Sequence, residues 1–284
     1  MENLNSKLGT RIKTERRRQK MTQQHLAAGI CSQSMLSSIE NETYTPNVLL
    51  FAQLCARLNV SMERLLLDPY PTLSAQPDFN RTVIDLCNQH AYAQMLQYLS
   101  QTMVINQLTT DRDLQTYYYY LGIATYQSHQ DWQAALQQLT MARSYSPVGH
   151  NQTVLELLIL ATAAFIKYRH KNQVQATAEF NACLTSIEHQ AVSAPNNNLN
   201  SIYYLYGNCL YNQGEIELGL KVVNQGISYT TSHDSHFMLA DLYLLKSALL
   251  AMLKRTEEAT QTAQKAQTLS EIFKTELYPL PQTH

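Results

Sequence analysis

The chain carries nine histidines, five cysteines and 22 carboxylates, the side chains from which most enzyme chemistry is built. Their spacing assembles none of the familiar devices. No HExxH or HxH pair offers two imidazoles to a metal, and no GxGxxG, P-loop or GxSxG segment cradles a phosphate or presents a nucleophile. His233, Asp234 and His236 come nearest to a metal site, but they have no third ligand nearby and read as loop residues. Cys31, Cys55, Cys87, Cys183 and Cys209 are odd in number, scattered and never CxxC-spaced, so they read as reduced, mostly packed thiols. Glu257 and Glu258 read as a solvated helix face. No catalytic residue, metal or cofactor is expected. Hydrogen bonding is the chemistry that remains, from two sources. One is a run of short polar side chains, Ser32-Gln33-Ser34 and Ser37-Ser38, with Asn41 a turn later. The other is a bias of 18 Tyr against 6 Phe and one Trp, each Tyr an apolar ring with a polar tip.

The polar run lies in a basic head. Residues 1–66 carry nine Lys and Arg against five Asp and Glu, and the remainder carries 12 against 17. The near-neutral total therefore hides a basic unit on an acidic one, as expected if only the first meets a polyanion. Leu4, Leu8 and Ile12 recur every four residues and predict an amphipathic first helix. Thr22 is placed to cap a second helix, with Leu26, Ala27 and Ile30 inward. Ser32 caps a third running to about Asn41, with Leu36 and Ile39 inward and Gln33, Ser34, Ser37, Ser38 and Asn41 outward. Pro46 and Asn47 open a fourth, and Ser61 caps a fifth carrying Leu65 and Leu66. Two short helices joined by a tight turn hold the second proud of the surface, where its first residues can reach base edges in a major groove. Gln can pair bidentately with adenine, Ser is permissive, and the third helix has no Arg for guanine. Phosphate contacts from the basic first helix should then carry much of the affinity and make it salt-dependent.

Asp68-Pro69-Tyr70-Pro71 and Pro77 interrupt the helical pattern, because proline removes a donor and restricts its predecessor. The expected domains are a head at 1–67, a linker at 68–78 and a body at 79–284. The body shows no strand alternation. Small residues recur every 42 or so positions: Gly122, Ala163-Ala164, Gly207 and Ala248, then Ala134, Ala176, Gly219 and Thr260, then Ala142, Cys183, Gly226 and Ala266. Each lets a neighbouring helix come close, so the pattern is helix, turn, helix, repeated. A less regular pair, from Phe79 to about Asp111, precedes the repeats. The segments Tyr118–Ala124 with Asp131-Trp132-Gln133-Ala134-Ala135, and Tyr203–Asn208 with Gly214, resemble tetratricopeptide repeats. Stacked, such pairs leave a concave groove lined by the first helix of each. Counting from the small residues, the groove-facing positions are Tyr119, Ile123 and Tyr126; Phe165 and Tyr168; Tyr204, Leu205, Asn208 and Tyr211; and Leu245, Leu249 and Met252.

Thr22-Gln23-Gln24-His25-Leu26-Ala27, followed by Ile30-Cys31-Ser32-Gln33-Ser34-Met35-Leu36-Ser37-Ser38-Ile39-Glu40-Asn41, resembles the Xre/Cro-type helix-turn-helix of phage repressors. The resemblance implies that Gln33, Ser34 and Ser38 face bases. It implies that Gln23 and Ser32 anchor phosphates, that Gln23 helps to place Gln33, and that Arg16 and Glu40 form an internal ion pair. Lys13, Arg17 and Lys20 are left as phosphate ligands, with Ser37 and Asn41 beside them on the DNA face. With Leu86-Cys87-Asn88-Gln89-His90-Ala91-Tyr92 opening the body, the whole chain resembles the PlcR-like peptide-pheromone-responsive regulators of Gram-positive bacteria. This implies an all-α fold, a lambda-repressor-like helix-turn-helix domain followed by a tetratricopeptide-like helical repeat superhelix. It also implies a cytoplasmic homodimer without a membrane segment, whose partners are double-stranded operator DNA and a short linear signalling peptide. By position, Asn88, His90, Phe165, Leu205, Asn208 and Leu245 fall where family members touch peptide. Phe165, Leu205 and Leu245 are apolar where polar residues are usual, which points to a different, more apolar peptide or to a shifted site. The rival reading is a constitutive regulator whose body only scaffolds dimerisation, its groove blocked by its own side chains or tail.

Overall fold

The computed structural model describes residues 8–60, 62, 65, 77–146, 152–170, 172–189, 197–233, 235–273 and 275–280. The chain divides into two compact units, Met1–Pro69 and Tyr70–His284. All regular structure among the described residues is helical.

Four described helices make the first unit: α1 (Leu8–Arg18), α2 (Gln23–Ala27), α3 (Gln33–Glu40) and α4 (Val48–Arg57). Three of them start at side-chain caps. Thr22, Ser32 and Asn47 each accept a hydrogen bond from the backbone N–H three residues on, which satisfies a donor the helix start would leave orphaned. Gly29 takes φ +72 in the α2–α3 turn, a left-handed conformation that costs glycine little. Ile12, Leu26, Leu36, Ile39, Leu54 and Leu58 form a dry centre at 0–1% exposure. Leu65 and Met62 pack against that centre, while the expected cap Ser61, Leu66 and Leu4 lie outside the described residues. The α1–α3 crossing is very close. A Cβ on Gly9 would stand 1.9 Å from the carbonyl oxygen of Ile39.

The second unit opens with α5 (Pro77–Asn88), α6 (Tyr92–Leu99) and the single turn α7 (Thr102–Ile105). Pro77, grouped with the linker in the sequence reading, is the first residue of α5, where a missing N–H costs nothing. Four helix pairs follow: α8 (Asp111–His129) with α9 (Trp132–Ser144), α10 (Val154–Arg169) with α11 (Gln173–Glu188), α12 (Asn200–Gln213) with α13 (Ile216–Ser232), and α14 (Leu239–Met252) with α15 (Thr256–Phe273). A 3₁₀ turn at Asn197–Leu199 leads into α12. The first helices α6, α8, α10, α12 and α14 touch in succession, and α9, α11 and α13 each pack on their own partner and on the next first helix. That is a one-dimensional stack, in which each unit closes its neighbour's core.

The recurring small residues sit at the contacts between helices. A Cβ on Gly122 would meet Leu139 at 3.0 Å, and one on Gly207 would meet Val223 at 2.7 Å and Leu245 at 3.1 Å. One on Gly226 would stand 2.6 Å from the Cβ of Tyr203. Capping boxes at Thr110/Asp113 and Thr153/Glu156 start α8 and α10. Phe180 of α11 stacks on Tyr206 of α12 with centroids 4.6 Å apart and planes 9° apart, and both are fully buried.

Candidate functional site

On the first unit, α3 buries Leu36, Ile39 and Glu40 and turns Ser32, Gln33, Ser34 and Asn41 outward, with Ser37 and Ser38 half-exposed. Beneath this face lies an ion pair. Arg16 Nε and Nη2 donate to the two carboxylate oxygens of Glu40 at 2.6 and 2.8 Å, and Arg16 Nη1 donates to the carbonyl of Met21 at 2.7 Å. The side chains are 9% and 0% exposed. Burial pushes the Glu40 carboxyl up, but the hydrogen bonds from Arg16 and Gln23 outweigh it and hold its pKa below the ordinary value.

A chain of bonds runs from this pair to the surface. Gln23 Nε2 donates to Glu40 Oε2 at 2.8 Å, and Gln33 Nε2 donates to Gln23 Oε1 at 2.7 Å. A carboxylate only accepts, so Glu40 determines the direction of both amides. Gln23 must turn its oxygen outward, and Gln33 must meet it with its NH₂. The second Nε2 hydrogen and the Oε1 of Gln33 are the donor–acceptor pair that bidentate reading of adenine needs. The Gln23–Glu40 link escaped the sequence reading, which placed Gln23 against phosphate.

Ser32 Oγ lies 2.9 Å from Ser34 Oγ, and Ser38 Oγ donates to the Ser34 carbonyl at 3.1 Å. A hydroxyl that donates still has lone pairs with which to accept, so Ser38 Oγ keeps acceptor capacity. Of the expected phosphate ligands, Arg17 and Lys20 are exposed, Lys20 at φ +54 just after α1. Lys13 Nζ stands 3.4 Å from Asn41 Oδ1.

In the second unit, four expected guest-facing residues converge. His90, at φ +51 in the α5–α6 turn, stacks on Tyr92 (6.3 Å, 3°) and on Tyr278 (4.1 Å, 26°). Tyr204 of α12 lies 5.7 Å from the Tyr278 ring and is hydrogen-bonded to Asn208. Tyr119 of α8 bonds Thr162 of α10 in the neighbourhood of Tyr278, and burial raises its hydroxyl. Tyr92 and Tyr278 join through their hydroxyls at 2.9 Å, and burial pushes the Tyr92 hydroxyl up to about 12. Burial lowers the His90 imidazole, against the raising field of Glu276.

The remaining expected residues fall elsewhere. Tyr126 and Phe165 meet edge to face at 6.3 Å, and Arg169 stands 5.7 Å over the Phe165 ring. The buried Tyr168 hydroxyl has no hydrogen-bond partner among the described residues. Leu205 and Tyr211 are half-buried. Leu245 and Leu249 belong to the core, correcting their place in the groove: both are 0% exposed, Leu245 against Gly207 and Leu249 against Gly219. Asn88 ends α5, and its side chain lies outside the described residues, as does Asp234. Among the described residues no His, Cys, Asp and Glu cluster could hold a metal ion, and no helix is long and apolar enough to cross a membrane.

Tyr278 and Asp241 were missed by the sequence reading. Asp241 sits in the first turn of α14 and accepts from the backbone N–H of Tyr278 at 2.8 Å. Burial raises its carboxyl to about 6, from 3.8. A raised carboxyl pKa means the folded state binds the proton more tightly than the unfolded one. Stability should therefore fall as pH rises from about 4 to about 6, with the full penalty above that window. Asp241→Asn keeps an acceptor for Tyr278 and removes the charge. It should be more stable than the parent by about 2–3 kcal/mol at pH 7.5 and lose that advantage near pH 4. Urea titrations at the two pH values check this, and an equal difference at both would refute it.

A helix-turn-helix unit with a polar outer face and a stack of helix pairs, joined in one chain, are the architecture of a helix-turn-helix transcription regulator. Residues 12–65 match the helix-turn-helix family model, and residues 80–280 match the RNPP family C-terminal domain. That second match spans well over half of the chain, and the chain belongs to the RNPP family. PlcR from Bacillus thuringiensis, crystallised with the peptide PapR7 and DNA, shares the fold at TM-score 0.62 and 22% identity, over 94% of this chain and 95% of that one. Its apo form matches at 0.57 and 21%, over 94% of each chain. Apo ComR from Streptococcus vestibularis matches at 0.50 and 15%, over 95% and 93%. No curated protein matches the chain.

Proposed function

We propose that this regulator acts in the cytoplasm, binds operator DNA as a homodimer and is controlled by a short linear peptide held on the face made by α8, α10, α12 and α14. One observation carries the reading: a helix-turn-helix match and an RNPP C-terminal match share a single chain, as in the fold crystallised with both a peptide and DNA. Gln33, Ser34 and Ser38 read base edges, with Ser37 and Asn41 flanking them. Lys13, Arg17 and Lys20, with the helix starts at Gln23 and Ser32, hold phosphates. The peptide lies against His90, Tyr119, Tyr204, Leu205 and Asn208, and reaches Tyr126, Phe165, Tyr168 and Tyr211, with Asn88 beside His90.

A scaffold-only body is the second reading, favoured by the way Tyr278 and Leu280 pack onto the body core. Selection of duplexes from a random pool, followed by anisotropy titration, separates the two. The full-length chain should select two half-sites and lose about 100-fold or more in affinity between 50 and 200 mM salt. A short peptide co-purified from the native host should shift that isotherm. Identical isotherms with and without it would leave the scaffold reading.

A further inference from the structure

The segment after α15 is built to lie against the body. Thr275 N–H donates to the Ser270 carbonyl at 3.1 Å, and Ser270 Oγ donates to the Thr275 carbonyl at 2.7 Å, so the chain turns out of the helix. Pro279 biases Tyr278 away from helical backbone. Two positions apart on an extended chain, Tyr278 and Leu280 share a side. Both pack on the body core, while Thr275, Glu276 and Pro279 are exposed. Tyr278 is held at four points from three places far apart in sequence: the His90 ring and Tyr92 hydroxyl at the α5–α6 turn, the Tyr204 ring on α12, and Asp241 at the start of α14.

Nothing in these contacts is peculiar to a covalently attached segment. Ring stacking and a main-chain N–H to a carboxylate are open to any extended peptide with an aromatic residue at the right place. His90 and Tyr204 are also among the residues that the sequence puts on the guest's face. We propose that Thr275–Leu280 is an internal occupant of the peptide site, and that a signalling peptide binds by displacing it. The incoming guest presents an aromatic side chain to His90 and Tyr204 and a backbone N–H to Asp241. This rests on the peptide-controlled reading above and adds the guest's chemistry and its competitor. An occupant that fills the slot 90–99% of the time weakens an external guest by about 10–100-fold, because only the vacated fraction can bind.

The test uses the full-length chain and a fluorescein-labelled, C-terminally amidated copy of the segment, TELYPL, read by anisotropy. Tyr278→Ala should bind the probe at least 10-fold more tightly than the parent. Adding Asp241→Ala should remove most of that gain, and Asp241→Asn, which keeps an acceptor, should preserve it. Equal binding to the parent and Tyr278→Ala, or indifference to Asp241→Ala, overturns the proposal. The unaltered chain gives a second readout free of folding effects. Saturating TELYPL should speed hydrogen exchange at the Tyr278 amide, and unchanged protection overturns the proposal as well. Failure of the wider reading looks different: TELYPL competes with the segment while operator affinity ignores every peptide. A peptide-dependent isotherm that Tyr278→Ala leaves untouched sinks this inference alone.

Discussion

Arg16→Met should destabilise the head by about 3–5 kcal/mol, because it leaves the Glu40 carboxylate buried and short of its strongest partner. The two side chains have almost no contact with water, and both Glu40 oxygens are engaged by Arg16. The chain has one tryptophan, Trp132, which lies on α9 of the body. Head and body can therefore be followed separately. In Arg16→Met, far-UV circular dichroism should show an early loss of helix in urea while Trp132 fluorescence stays on the parent's curve. Coincident curves at the parent's midpoint would refute the assignment.

Acid should act on the same pair. Glu40 has a depressed pKa, so its contribution is complete above the ordinary carboxylate range and fades as pH falls through the lower folded value. Replacing both partners, Arg16→Met with Glu40→Leu, removes the uncompensated charge and should recover most of the stability. It should not recover DNA binding. Gln23 then loses the acceptor that orients it, and Gln33 loses its brace. A double variant that folds normally and still binds a selected duplex like the parent would show that the amide chain is ornamental.

Phe180→Ala should cost the body about 3–5 kcal/mol. The ring is fully buried between consecutive repeats and lies nearly parallel to Tyr206 at 4.6 Å. Removing it opens a cavity at a joint where α11 meets α12, and in a stack such a joint has no second layer to close it. The Trp132 fluorescence midpoint in urea should fall by about 1–2 M for a chain of this size. Val174→Ala is the control on the same helix. Val174 is 87% exposed, and its loss should stay within about 0.5 kcal/mol. A Phe180→Ala midpoint indistinguishable from that of Val174→Ala would contradict the packing described.

Much of this was legible in the sequence because the causes are local. Thr22, Ser32 and Asn47 cap helices through a side chain and an N–H three residues away, so a short window contains the whole interaction. Gly122, Gly207 and Gly226 mark close helix contacts because only a missing Cβ permits them. Leu245 and Leu249 were misplaced for an equally physical reason. Helix α14 buries Leu239, Leu242, Leu245, Leu249 and Leu250 but also carries Tyr243, Leu244 and Ala248 outside that face, and periodicity cannot pick a face from a helix with so little polar contrast. Tyr278 was out of reach altogether. Its partners lie 37 and 186 positions away at Asp241 and Tyr92.

The missing Cβ of Gly9 has a last consequence. With the α1 backbone pressed against the end of α3, neither helix can slide along the other. The span from the cationic side chains of α1 to the amide edge of Gln33 is then a ruler of constant length. Under the proposed assignment of phosphate and base contacts, such a reader has one setting for the step between sugar-phosphate rail and base pair, and the proposed peptide would retune only where the ruler is laid.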